Sequence, residues 1–242
     1  MQDKQAIPSV WTRPKKKKEQ PALSVEHIVA EAIGLLDEEG IEQLSMRKLG
    51  ARMNAGATSL YRHVANKDEL IELVVDEVYG ELTVPKVTTP ERWRENATEV
   101  AGSLRAMMLR HPWVGTVLGQ VGLKSLGPNL ARLSGEFMAV FQAAGFPVLD
   151  ADKVMNTLIS YVIGMATSEA AWLQLVTRSG KTEAEWVAEL LPRAIEAAAD
   201  RADLAEPLLA SSGVDPAVVR DDNFAYGLET VLDGCAARLA RL

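Results

Sequence analysis

The stretch SMRKLGARMNAGATSLYRH, residues 45–63, reads as two short helices joined by a tight turn. Leu49 and Met53 face inward from the first helix, Leu60 and Val64 from the second, so both bury an apolar edge in one shared core. The break falls at Asn54-Ala55-Gly56, and Asn is one of the few non-glycine residues that tolerates a left-handed backbone. Ser45 caps the first helix, with Leu44 and Leu49 spaced as a hydrophobic staple. The core leaves Thr58, Ser59, Tyr61, Arg62 and His63 unused on the second helix. Their hydroxyl, guanidinium and imidazole groups suit base edges and phosphates in a major groove. Arg47 and Lys48 begin the first helix, where side chains reach a nucleic-acid backbone. Lys67 begins the next helix, whose free N–H groups favour a phosphate.

Upstream, Val25, Ile28, Val29, Ala32, Ile33 and Leu36 recur at helical spacing. Ser24 is the expected N-cap, Leu23 and Ile28 the staple, and Gly40 the terminator. Residues 1–22 carry Pro8, Pro14, Pro21 and the run Lys15-Lys16-Lys17-Lys18 and read as a disordered basic arm, with added phosphate or minor-groove contacts as one role and a solubilising tail as the other. Downstream, Asn66 and Glu69 form a capping-box pattern before Leu70, Ile71, Val74, Val75 and Val78. Thr89-Pro90-Glu91 signals another start, for a helix running to about Arg110 and stopped by Pro112. Further helices are expected at about 113–120, 126–144, 151–178, 183–199 and 223–241, with Asp200 to Asn223 as a long surface loop. The expected fold is all-α, with a three-helix head at 23–70 and a larger helical body at 71–242.

Net charge is −7, which by itself disfavours a polyanion. Residues 1–67, however, hold eleven Lys/Arg against eight Asp/Glu, a net of +3, which leaves −10 on 68–242. A basic head on an acidic body presents one end to nucleic acid. The longest nearly apolar run, Leu158 to Ala166, is far short of the roughly 18 residues of a membrane span. No apolar stretch follows the basic N-terminus, so no signal peptide is expected, and Cys235, the single cysteine, allows no internal disulfide. A cytoplasmic location fits. The three histidines, His27, His63 and His111, show no metal spacing, and HExxH, GxSxG, Walker A and GxGxxG motifs are absent. No enzymatic activity and no cofactor are expected.

The segment LSMRKLGARMNAGATSLYRHVANKDEL, Leu44 to Leu70, closely resembles the DNA-binding head of the tetracycline repressor family, with LYRHV-x-NK-x-xL its most telling part. ERWRENATEVAGSLRAMMLRH at 91–111 and FAYGLETVLDGCAARLARL at 224–242 resemble the repressor body more loosely. The resemblance implies a homodimeric repressor on a palindromic double-stranded operator, released by a small-molecule effector. It implies that Ala57, Thr58, Ser59, Tyr61, Arg62 and His63 face the operator, with Ser45, Arg47 and Lys67 on phosphates. Asn54 stands where relatives usually have Gly, and Gly56-Ala57 replaces bulkier residues, which shifts base reading toward Thr58, Tyr61 and Arg62.

The drug-binding residues of the tetracycline subgroup are not kept. Thr83, Val100 and Leu104 stand at the matching positions, with Thr116–Leu118 at the metal ligand, and none provides a side-chain nitrogen to bind the metal. The expected effector is instead apolar or aromatic, lined by Val100, Leu104, Met107, Met108, Trp113, Val117, Phe137, Phe141, Tyr161, Met165 and Trp172. Thr116, Gln120, Asn156 and Tyr161 are the polar groups expected to orient it. Broad apolar stripes through Phe224, Leu228, Leu232 and Cys235, and through Val154, Leu158 and Val162, suit a dimer as well as a core. The competing reading is a helical adaptor that binds a protein partner through its acidic body.

Overall fold

A computed structural model describes residues 23–87, 89–121 and 127–242. The basic arm 1–22, with Lys15–Lys18, and the expected helix start at 126 lie outside the described residues, as does the side chain of Gln120. Among the described residues the fold is all helical: α1 (Val25–Glu39), α2 (Met46–Arg52), α3 (Ala57–Leu60), α4 (Lys67–Gly80), α5 (Trp93–Arg110), α6 (Trp113–Val121), α7 (Pro128–Ala143), α8 (Val148–Ser179), α9 (Glu183–Ala197), α10 (Ala202–Ala210) and α11 (Pro216–Leu239). Single 3₁₀ turns at Ile41–Gln43 and Pro90–Arg92 lead toward α2 and into α5.

Local chemistry sets the head. Ser24 Oγ accepts the His27 N–H at 3.2 Å, Ser45 Oγ accepts that of Lys48 at 3.2 Å, and Asn66 Oδ1 accepts that of Glu69 at 2.9 Å. Each satisfies one of the unpaired donors that begin a helix. The Glu69 carboxylate reaches back to the Ala65 N–H at 2.7 Å, one residue before the cap. Gly40 ends α1 at φ 81°. Ile28, Ala32, Leu49, Leu60, Val64, Leu70 and Val74 are buried and close α1–α4 around one core. Each Leu or Ile so enclosed contributes about 1.5–3 kcal/mol.

The body is organised on α8, whose 32 residues span about 48 Å. Helices α5, α7 and α11 pack along it, and α7 also packs on α4, so α4 belongs to both cores. The expected 200–223 loop is corrected. Residues 202–210 form α10, and α11 begins at Pro216, seven residues before the predicted start. Asp215 Oδ1 accepts the Ala217 N–H at 2.8 Å, and Pro216 sits at the first helical position, where its missing N–H costs nothing. The true break is Ser211–Val214, with Gly213 at φ 78°. α8 likewise begins at Val148 rather than 151, behind Pro147.

Candidate nucleic-acid interface and effector core

The turn between α2 and α3 depends on two residues. Asn54 has φ 51°, the only positive φ of a non-glycine residue among the described residues. Gly50 is buried, and a Cβ there would lie 2.8 Å from the Ala55 carbonyl oxygen and 3.3 Å from the Ala57 nitrogen. The turn therefore folds back against α2 where only glycine fits, a requirement the sequence reading missed. The expected second helix is shorter than predicted, since α3 ends at Leu60 and Tyr61, Arg62 and His63 follow in a turn. These three and Thr58 are exposed, Ala57 and Ser59 half-buried, and Leu60 and Val64 buried. Tyr61 remains 51% exposed, a large aromatic surface that the head's own packing leaves outside.

The cations of the head divide into two sets. Lys48 forms an ion pair with Glu39, and Arg52 grips Glu38 and Glu31. Hydrogen bonding to Glu38 and Glu31 pushes the Arg52 pKa up, and the Arg52 bond holds Glu38 below the ordinary carboxylate range. Arg47, Arg62 and Lys67 enter no ion pair among the described residues. Lys48, expected beside Arg47 on a phosphate, is thus partly neutralised by its own helix bundle. Ser45, whose oxygen caps α2, keeps its hydroxyl proton at an exposed position.

A family model described as bacterial regulatory proteins, tetR family, matches residues 28–74, and one described as tetracyclin repressor-like, C-terminal domain, matches residues 85–239. The chain belongs to the TetR family. An HTH-type transcriptional regulator of Saccharopolyspora erythraea is 39% identical over 165 residues, covering 68% of this chain and 69% of its own. Apo ActR of Streptomyces coelicolor superposes with a TM-score of 0.73 at 29% identity, covering 90% of this chain and 97% of that one. BioQ with its double-stranded DNA operator gives a TM-score of 0.55 at 28% identity, covering 65% and 93%. As a TetR-family protein the chain is a DNA-binding transcriptional regulator that uses its N-terminal helix-turn-helix.

In this TetR-family body, the expected effector residues fall into two groups. Val100, Leu104, Met107 and Met108 of α5, Trp113 and Val117 of α6, and Phe137 and Phe141 of α7 are all buried in one continuous core. Phe141 is its aromatic hub, with ring centroids 5.2 Å from Phe137, 6.2 Å from Trp93 and 6.2 Å from Phe146. The α8 residues lie differently. Tyr161 donates its hydroxyl to the Phe224 carbonyl at 2.7 Å, and Trp172 donates its indole N–H to Glu183 at 2.6 Å. Met165 is half-buried against the core. Of the expected orienting groups, Thr116 is exposed and Asn156 donates to the Asp152 carbonyl one turn back. A groove of about 540 Å³ lies between the α4–α5 connector and α7, lined by Leu82, Thr83, Val84, Arg132 and Glu136 among others.

Two polar clusters frame this core. On the α8 side, Glu169 accepts from Arg105 at 2.7 and 2.8 Å and from Arg220 at 3.0 Å, while Arg220 also pairs with Glu183. The Arg105 guanidinium lies 4.7 Å from the Phe224 ring centre. Burial raises the Glu169 pKa, but the two guanidiniums outweigh it and hold the carboxyl below its ordinary value. On the head side, Asp37 of α1 accepts the Trp113 indole N–H at 2.7 Å, and the same oxygen lies 2.8 Å from His111 Nδ1. His111 Nε2 lies 3.1 Å from Glu81, which also pairs with Arg110. Burial raises the Glu81 pKa, and its bonds to Arg110 and His111 more than reverse this. The carboxylate of one head residue thus fastens α1 to the α5–α6 junction.

Proposed function

We propose that the chain is a ligand-responsive repressor that binds a palindromic operator as a homodimer and is released by a small apolar or aromatic effector. The observation that carries this reading is the Asp37 joint. It links the helix-turn-helix directly to Trp113, a residue of the apolar core in which the effector would sit. A ligand that reshapes the α5–α6–α7 core displaces Trp113 and His111, and with them the end of α1. The two recognition helices then lose the spacing of about one DNA turn that a dimer needs. Moving such an equilibrium from 1:99 to 99:1 takes a preference of about 5.5 kcal/mol for the released state. ActR in complex with actinorhodin, 30% identical with a TM-score of 0.71, supports a small-molecule site in a body of this kind, and the BioQ–operator complex supports the DNA role of the head.

In this reading, 23–70 is the DNA-binding unit and 71–242 the effector-binding and dimerising unit. Ala57, Thr58, Ser59, Tyr61, Arg62 and His63 face the operator, and Ser45, Arg47, Lys48 and Lys67 its phosphates, with Lys48 the weakest because Glu39 holds it. Dimerisation uses α8 and α11. Gly164, Ser168, Ala171 and Leu175 repeat along one exposed face of α8, and Tyr226 of α11 is 76% exposed. The small Gly164, Ser168 and Ala171 let a partner helix approach closely, and Leu175 offers it an apolar contact.

Nuclease footprinting on the DNA upstream of the chain's own gene, with light scattering for mass, tests the proposal. A compact two-fold symmetric footprint bound by a particle of twice the chain mass is expected. A monomer in solution and on DNA, or no protected site, would refute it.

A further inference from the structure

Asn96 of α5 is a buried polar side chain, 5% exposed, whose amide Nδ2 meets no acceptor among the described residues. Val100 and Met107, both buried, follow it at helical spacing. The three directions agree to within about 40° around the helix axis. Of the α5 residues in ion pairs, Arg110 meets Glu81 about 21 Å further along the axis, and the other two point elsewhere. Arg94 binds Asp233, and Arg105 binds Glu169 and covers Phe224. Both project from the side of α5 roughly opposite Asn96. Asn96 thus aims an unused donor away from the ion cluster, along the strip of α5 that Val100 and Met107 make apolar. Folded proteins rarely leave a buried donor unmet, and a group that arrives from outside is one way to complete it.

We infer that Asn96 is the polar anchor of the effector site and donates its amide N–H to an acceptor oxygen of the effector. The effector class is then an aromatic ring system bearing a carbonyl or equivalent oxygen, lying along Val100 and Met107. The inference rests on the effector core proposed above. It adds a polar contact to that core, where Tyr161 and Trp172 spend their polar groups on Phe224 and Glu183.

Three flat tricyclic probes of matched shape test it on the full-length protein by equilibrium dialysis: fluorene, with a methylene bridge; 9-fluorenone, with a carbonyl; and carbazole, with an N–H. Fluorenone is expected to bind about tenfold more tightly than fluorene, equivalent to about 1.4 kcal/mol, with carbazole no better than fluorene. In Asn96→Leu the fluorenone preference should collapse while fluorene binding persists, and Asn96→Ala, which cannot overpack, should do the same. A preference that survives both substitutions, or carbazole binding best, overturns the role of Asn96 and leaves the effector core standing. Failure of all three probes to bind counts against an aromatic effector core and removes the inference with it. Thermal unfolding of the ligand-free protein gives a second readout. Asn96→Leu should leave the midpoint unchanged or raise it, because it removes an unmet donor. A clear fall in that midpoint would show the amide already satisfied and overturn the inference.

Discussion

Replacing Asp37 by Ala isolates the joint between head and body. The substitution removes one carboxylate oxygen that serves two groups, the Trp113 indole N–H at 2.7 Å and His111 Nδ1 at 2.8 Å. Trp113 is 4% exposed and His111 7%, so neither finds water easily. A buried donor left unmet costs about 1–3 kcal/mol, which for two groups gives about 2–6 kcal/mol. The Asp37 side chain itself is 31% exposed, and water entering the space it vacates holds the loss near the lower end. We expect about 2–3 kcal/mol, a fall of roughly 4–12 °C in unfolding midpoint for a chain of this length. The functional consequence separates a joint from a mere brace. With α1 unfastened, the two heads no longer hold one spacing, and operator affinity measured by fluorescence anisotropy should fall by at least about tenfold. Because the coupling between the two sites runs through this joint, effector binding should also change operator affinity by much less than in the wild type. Arg52→Ala is the control, since its pairs with Glu38 and Glu31 lie at the surface, where ion pairs contribute little. If Asp37→Ala lowers the midpoint while operator affinity and effector response stay at wild-type values, the joint holds the fold only and the coupling argument fails.

The α2–α3 turn gives a paired prediction: Gly50→Ala should abolish operator binding, because the added carbon meets backbone at 2.8 Å, whereas Gly56→Ala, with nothing within 4 Å, should leave gel-shift affinity unchanged. Arg47→Ala should weaken operator binding and flatten the slope of log K against log[salt] by about one unit, and Lys48→Ala by less, since Lys48 is already paired with Glu39. The folded pKa of Glu169 lies below its ordinary 4.5, so its ionised form stabilises the fold above that pH and the contribution is lost as pH falls through the lowered value. Stability measured by urea unfolding should therefore fall as the solution is acidified below about pH 4.5, and Glu169→Gln should make that fall shallower.

The head was legible in the sequence because its instructions are local. Ser24, Ser45 and Asn66 cap the helices they precede, and Asn54 takes the left-handed turn, each acting within four residues. Local rules also produced a misreading. Pro207 and Pro216 look like loop residues, yet Pro216 starts α11 by the same rule that Pro90 follows, and α10 carries Pro207 in its interior. A proline signals a helix start as readily as a break, and only the residues around it, here Asp215 before and the Ser211–Val214 turn upstream, separate the two. Gly50 and Asp37 were illegible for another reason. Gly50 matters because a turn folds back on it, Asp37 because His111 and Trp113 arrive 74 and 76 residues later. Asn96 did carry a signal, an amide set into the apolar spacing of Trp93, Ala97, Val100 and Leu104. Such an amide reads from sequence as an ordinary surface position until its burial and its missing partner are known. The DNA-facing chemistry of this chain is thus written in neighbours along the sequence. The effector response is written in contacts between helices, and Asp37 is where the two meet.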